Sequence, residues 1–438
     1  MGIYGALSTA VSGLRAQAFA LENISGNIAN SQTTGYKRME TGFIDMVTDA
    51  AVGRQVAGAV SAYSRSTNDV RGDIINSSTG THVALTGSGF FVVGERTGMS
   101  DGNSIIGGSN FYTRRGDFEM DREGYLVNGA GYYLKGVPIG ATGNPIGSVP
   151  ETIKIDNGVI PARETSRINY GLNLPADPAV GLYTGGLTDI SGLDLEPFKE
   201  ASLNGGAITT FASNGAPVQV ELRWAKTDDA PDTWQLYYQT ASDPERWLAV
   251  DDAVATFNAN GTLATLNGDP IGANQVANIT MGGIEVNGTT LGDVELNFGT
   301  GGLTQFANTS GRASDIQLFQ NGFPAGSFLG VEISDAGRVV ATYSNGEQVD
   351  LYQLVTADFN AANMLKRLDG GVYAATTQSG EPIFSLEGGI AGSALEASNT
   401  DISDEFTKLI VTQQAYAAST RIVSTSDEML REALNMVR

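Results

Sequence analysis

LSTAVSGLRAQAFALENISGNI, residues 7–28, sets its apolar side chains in alternating steps of four and three. Leu7, Val11, Leu14, Ala18, Leu21 and Ile28 fall on one seam, interrupted by Ser25, and this spacing predicts an amphipathic helix built to pair. The alternation returns at the other end of the chain in ISDEFTKLIVTQQAYAASTRIVSTSDEMLREALNMV, residues 402–437. There Ile402, Phe406, Leu409, Tyr416, Val423, Leu430, Leu434 and Val437 hold the seam, with Gln413, Thr420 and Asp427 at its remaining positions. Asn399 or Thr400 is expected to cap this second helix. Asp401, Asp404 and Glu405 sit near its positive end, Arg431 and Arg438 near its negative end.

A lone helix of this length is marginal in water, because nucleation is costly and most helical stability comes from burying the apolar face. Each seam Leu or Val contributes about 1.5–3 kcal/mol once buried. The two ends therefore need partners: pairing within one chain gives a stalk, pairing among chains a polymer. Ser25, Gln413, Thr420 and Asp427 weaken a private two-stranded coil and tilt the balance toward packing that orders on assembly.

Between the ends the pattern changes. Nine Asn-Gly pairs, beginning at Asn128, Asn157, Asn204, Asn214, Asn260, Asn267, Asn287, Asn321 and Asn345, separate short alternating or apolar runs such as PVQVELRW (217–224) and RVVATYS (338–344). Asn-Gly between such runs is the strongest short hairpin signal. The fold expected is mainly β with α-helical termini, the two helices pairing as a coiled-coil-like core that encloses nested β domains. The expected divisions are helices at 1–30 and 400–438, extended linking segments at 31–75 and 386–399, one β domain at 76–165 and 312–385, and a second at 166–311.

Charge separates the two β regions. The chain of 438 residues carries a net charge of -22, and residues 177–300 hold seventeen acidic side chains against four basic ones. Such a surface repels phosphate backbones and anionic lipid, so neither nucleic acid nor a membrane is an expected partner. The absence of cysteine excludes disulfides, thiolate zinc sites and thiol nucleophiles. The first residues, MGIYGALSTAVSGLRAQAFALENI, have no basic leader followed by a long apolar run, so export, if it occurs, is expected to proceed without a cleavable signal peptide.

The stretch LENISGNIANSQTTGYK (21–37) resembles the signature that follows the first helix of flagellar rod and hook proteins. Within it Asn23, Asn27, Asn30, Thr34, Gly35, Tyr36 and Lys37 match the family pattern. Asn27 and Asn30 offer hydrogen bonds where the helix ends, and Thr33, Thr34 and Gly35 supply turn chemistry. Three further blocks are similar to the same family: VALTGSGFFVV (83–93), FYTRRGDFEMDREGYLVNGAGYYLKG (111–136) and the segment 395–438. Together these cover roughly a third of the chain, and the large acidic insert resembles the hook members rather than the shorter distal rod proteins. The resemblance implies a non-enzymatic, cofactor-free homopolymer, exported through the flagellar type III apparatus to the outside of the cell. It also implies a hollow tube with the terminal helices as its inner core, and contacts with the rod, the hook cap and the hook-filament junction proteins. Distal rod and junction proteins share the terminal motifs and stand as alternatives.

Catalytic constellations are sparse. His82 is the single histidine, so one chain cannot assemble a multi-His metal site, any Ser-His-Asp triad would have to use His82 itself, and a structural role is the expected one. EMDREG (119–124) spaces its acids like the start of a calcium loop, but position twelve is Ala130, and a hairpin turn is the simpler reading. Asp228, Asp229 and Asp232, like Asp251 and Asp252, read as solvated loops. Trp224, Trp234 and Trp247 beside these acids motivate one rival reading, a secreted carbohydrate-binding or hydrolytic β protein, although strand aromatics are more often core.

Overall fold

The computed structural model describes residues 3–46, 59–100, 103–140, 143–186, 188–272 and 274–436. They form two compact units. The first comprises Met1–Asn157, Leu329–Thr342 and Gln348–Arg438; the second comprises Gly158–Phe328 and Tyr343–Glu347. The second unit is wider than the acidic stretch 166–311, because charge marks its surface whereas its strands extend past that stretch on both sides.

In the first unit, helix α1 (Ile3–Ala29) is followed by an antiparallel pair of strands, β1 (Met39–Asp45) and β2 (Val60–Ser66), with Phe43 opposite Ala62. Two short strands, β3 (Ile74–Asn76) and β4 (Val83–Leu85), pair with Ala394–Glu396 and Ile390–Gly392. Residues 31–75 and 386–399, expected as extended linkers, thus carry strand pairs. Their backbone groups would otherwise be stranded against a packed core, and pairing satisfies them. The β body is built on β5 (Phe90–Ser100), which runs antiparallel to Tyr132–Pro138, Phe111–Thr113 and Thr356–Asp358. Phe90, Val92, Tyr112, Val137 and Tyr373 form its core, with the Phe90 and Tyr373 rings edge to face at 5.6 Å. EMDREG closes the hairpin between Phe118–Met120 and Leu126–Asn128, where Asp121 Oδ1 accepts from the Glu123 and Tyr125 amides.

The second unit holds two sheets over one core. A meander runs through Ser202–Phe211, Pro217–Asp229, Asp232–Ser242 and Glu245–Phe257. In the other sheet Arg167–Asn173 lies between a parallel Val294–Gly299 and an antiparallel Ser314–Gln320. Both sheets alternate buried and open positions, as half-buried strands must, and their inner faces share Ile168, Tyr170, Leu222, Trp224, Trp234 and Leu296. Two Asn-Gly turns adopt the left-handed pair that tight hairpins demand: Asn267 and Gly268 at φ 57° and 82°, Asn287 and Gly288 at 49° and 78°. A short helix, α2 (Leu195–Glu200), packs Phe198 on Trp247.

The chain closes in the first unit with helix α3 (Ile402–Met436), which packs along α1. Its N-cap is Asp401, not Asn399 or Thr400: Asp401 Oδ1 accepts from the Ser403 amide at 2.7 Å and the Asp404 amide at 3.3 Å. Asn399 is committed elsewhere, as described below.

Candidate functional site where the chain ends meet

The family signature forms the knot that ties α1 to α3. Asn27 is 1% exposed and uses both ends of its amide. Its Nδ2 donates to the Met39 carbonyl at 2.9 Å and to Glu405 Oε2 at 3.0 Å; its Oδ1 accepts from the Met39 amide at 2.9 Å and the Tyr36 hydroxyl at 3.3 Å. One side chain thus fixes the exit of α1, the start of β1 and the first turn of α3. Asn23 holds the β1 and β2 strands through Thr41 and Ser64, and Asn30 Nδ2 caps α1 on the Gly26 carbonyl at 2.8 Å. Thr34 is half-buried.

Gly35 has a φ of +67°, and a Cβ there would lie 2.7 Å from the Arg114 carbonyl carbon. That combination requires glycine. Tyr36 is buried beneath the Arg367 guanidinium, 4.5 Å from its ring centroid, and its carbonyl accepts from the Asn399 amide. Asn399 Oδ1 in turn accepts from the Arg38 amide at 2.7 Å, and its Nδ2 donates to the Thr67 and Val70 carbonyls.

Lys37 completes the knot. Its Nζ lies 2.5 Å from Glu396 Oε1 and 2.6 Å from the Val70 carbonyl, and Arg114 reaches Glu396 Oε2 at 3.2 Å. All three side chains are at most 1% exposed. Burial holds the Lys37 amine below the ordinary lysine range, although Glu396 pulls the other way. Two buried cations share one carboxylate, which also accepts from the Gly72 amide. Glu396, Arg114, Asn399 and Glu405 lie inside the blocks quoted above, yet nothing in the sequence couples Lys37 to a residue 359 positions away.

The buried stripes coincide only in part with the expected seams. The buried stripe of α1 is Ala10, Ala16, Ala20, Ile24 and Asn27, and that of α3 includes Glu405, Thr412 and Ser426. Ser419 belongs to the same stripe; a Cβ on Gly13 would stand 3.7 Å from its Oγ. Small side chains let the two backbones approach closely. Of the expected seam, Leu7, Val11, Leu14, Leu21, Ile28, Leu409, Val423 and Leu430 are half-buried. Ile402, Phe406 and Tyr416 are 39%, 49% and 41% exposed. Val437 lies outside the described residues, as does the side chain of Leu434.

The acids and the histidine weighed above all lie among the described residues. They contain no cluster of three or more metal-ligating acids and histidines. His82 Nδ1 is 2.8 Å from Ser77 Oγ, a local turn contact. Lys226 engages Asp229 and Asp232 at 2.6 and 2.7 Å, and Asp252 accepts from Asn267. The three tryptophans are at most 2% exposed, so none offers a ring to a sugar, and the motive for the carbohydrate reading is removed. No helix of the structure is long and apolar enough to cross a membrane.

Helical chain ends tied to each other through Asn27–Glu405 and Lys37–Glu396, on a chain that is otherwise mainly β, define a β protein with paired helical termini. Four family models match in chain order: Flagella basal body rod protein at residues 7–37, Flagellar hook protein FlgE/F/G D1 domain at 84–169, Flagellar basal body protein FlaE D2 domain at 194–323, and Flagellar basal body rod FlgEFG protein C-terminal at 391–436. The chain is 33% identical to Flagellar hook protein FlgE of Escherichia coli, across 98% of this chain and 100% of that one. It is 30% identical to Flagellar hook protein FlgE of Brucella suis, across the whole of both. The crystal structure of Helicobacter pylori flagellar hook protein FlgE2 aligns with a TM-score of 0.46 and 14% identity, covering 75% of this chain and 99% of that one. The chain belongs to the flagellar hook protein family.

Proposed function

We propose that this chain is the structural subunit of the flagellar hook, a homopolymer forming a curved hollow tube that transmits torque from rod to filament. One observation carries the reading. Helix α3 buries Thr412 and Ser426 and half-buries Leu409, Ser419, Val423 and Leu430, while Ile402, Phe406, Ile410, Val411, Tyr416, Ile422 and Met429 stay between 39% and 59% exposed. A helix that leaves so many of its large apolar side chains in water is incomplete as a monomer.

Copies of the chain complete it, with the helical ends on the inner wall and the acidic unit outermost. The chain is non-enzymatic, lies outside the cell as part of the flagellum, and reaches its place through the type III export apparatus. It joins the rod at one end and the junction proteins of the filament at the other, under a cap during growth. The distal rod reading is disfavoured by full-length matches to hook relatives. Removing residues 400–438 is expected to leave a soluble β protein that does not polymerise, as judged by sedimentation and electron microscopy. Normal hooks from that truncation would refute the proposal.

A further inference from the structure

A groove of about 370 Å³ runs between α1, β1 and α3, lined by the apolar Ala20, Ile24, Met39, Phe43, Val411 and Ala415 and by polar groups that include Glu40, Glu405 and Lys408. Its floor is continuous with the α1–α3 contact, since Ala20 and Ile24 belong to the buried stripe of α1. Its outer wall is open: Phe43 is 49% and Val411 59% exposed. Successive residues of a helix turn by about 100°. Measured from Thr412 at the centre of the contact, Val411 and Ala415 therefore lie roughly 60–100° to one side, and Ile402, Phe406 and Ile410 roughly 80–160° to the other. The groove and the projecting apolar group thus occupy opposite flanks of one helix. Between them, Leu409–Thr420 carries no charged residue, so for more than three turns α3 offers water no ionic face.

We infer that Phe406 and Ile410 of one copy fill the groove of the next, an assignment that rests on the polymer proposed above. The occupant is a second copy because the chain itself supplies matching apolar groups: an aromatic and a branched side chain one turn apart, suited to the Ala20, Ile24, Phe43 and Val411 part of a socket that one copy cannot fill with its own opposite flank. Filling it would extend the two-helix contact into a three-helix one. A group on one surface entering a socket on another makes a heterologous contact, which propagates without closing; pairing like flanks would close a dimer and leave the groove empty. The same contact gives every subunit one donor flank and one acceptor flank, as an open-ended tube requires.

The native chain has no cysteine, so engineered thiols report cleanly. Full-length protein carrying both Phe406→Cys and Phe43→Cys is polymerised, oxidised and run on a non-reducing gel. The expected result is a ladder of dimers, trimers and larger species, with monomer from either single variant. Polymers of the double variant that stay monomeric on oxidation, or dimers from Phe406→Cys alone, would overturn the assignment. Phe406→Ala supplies a second measurement: the critical concentration for polymerisation is expected to rise at least ~tenfold, the factor that corresponds to about 1.4 kcal/mol of lost contact. Helix content and urea midpoint of the monomer should be unchanged. Polymerisation of Phe406→Ala at the wild-type concentration would also overturn it. Wild-type chain that forms no polymer under any condition would instead refute the hook proposal itself, which separates the two failures.

Discussion

Replacing Glu396 by Gln removes one charge and almost no volume from the centre of the knot. Both carboxylate oxygens are in use, at 2.5 Å from Lys37 Nζ and 3.2 Å from Arg114 Nη1, and the side chain is fully buried. After the change, Lys37 and Arg114 remain buried without a counter-ion. Deleting one partner of a buried pair costs about 3–5 kcal/mol, most of it the penalty of the stranded charge. With a urea dependence of about 1–3 kcal/mol per molar, the midpoint for the first unit should fall by at least about 1 M. The three tryptophans all lie in 158–328, so their fluorescence reports on the second unit and serves as an internal reference. Amide hydrogen exchange of Ile74–Asn76 and Val83–Leu85 in rising urea follows the first. A double variant with Lys37→Met removes one of the stranded cations and should lose less than the sum of the two single changes. A loss below about 1 kcal/mol for Glu396→Gln, or simple additivity with Lys37→Met, would refute the view that this network behaves as a buried ionic unit.

Two further predictions concern the same region. Gly35→Ala is expected to destabilise the chain by more than about 1 kcal/mol, because its left-handed backbone and the Arg114 carbonyl both exclude a Cβ. Gly26→Ala, inside α1 with open space around it, should instead stabilise by up to about 1 kcal/mol; thermal unfolding in which the two behave alike would contradict the geometry. The lowered Lys37 pKa predicts a pH dependence of defined sign. Between that lowered value and the ordinary lysine pKa the unfolded chain binds more protons than the folded one, so this group's contribution to stability increases as pH rises. The stability of wild type minus that of Lys37→Met should therefore grow as pH rises toward the ordinary lysine range, and a flat or falling difference would count against it. The subtraction cancels buried tyrosines such as Tyr112 and Tyr373, which burial pushes up to about 12 and whose effect has the opposite sign.

The helical ends were legible because a four-three alternation in 7–28 and 402–437 has no strand counterpart, and the β body was legible because Asn-Gly pairs such as Asn267 and Asn287 permit the tight turns that hairpins need. The phase of the seam was legible only in part. Periodicity reports that a helix has a sticky side, whereas the residues buried inside one chain include Ala20, Thr412 and Ser426, whose small or polar side chains give a weak hydrophobic signal. Large apolar residues such as Phe406 dominated the reading although they face outward in the single chain. Trp224 and Trp234 show the converse: beside acidic loops they could be read as a binding surface, and only the stacking of two sheets puts them at the core.

The sequence by itself thus determined which segments are helices, which are hairpins, where acidity concentrates and to which family the signature at 21–37 is similar. These are local properties, written in spacing, turn chemistry and composition. Only the tertiary structure decided that Asn27 reads Glu405 and that Lys37 shares Glu396 with Arg114. Those partners lie 378 and 359 residues apart, and a contact at such separation leaves no periodic trace in one sequence. The structure also decided which flank of α3 faces its own chain and which stays open, because that depends on how closely two backbones can approach once Gly13 lies beside Ser419.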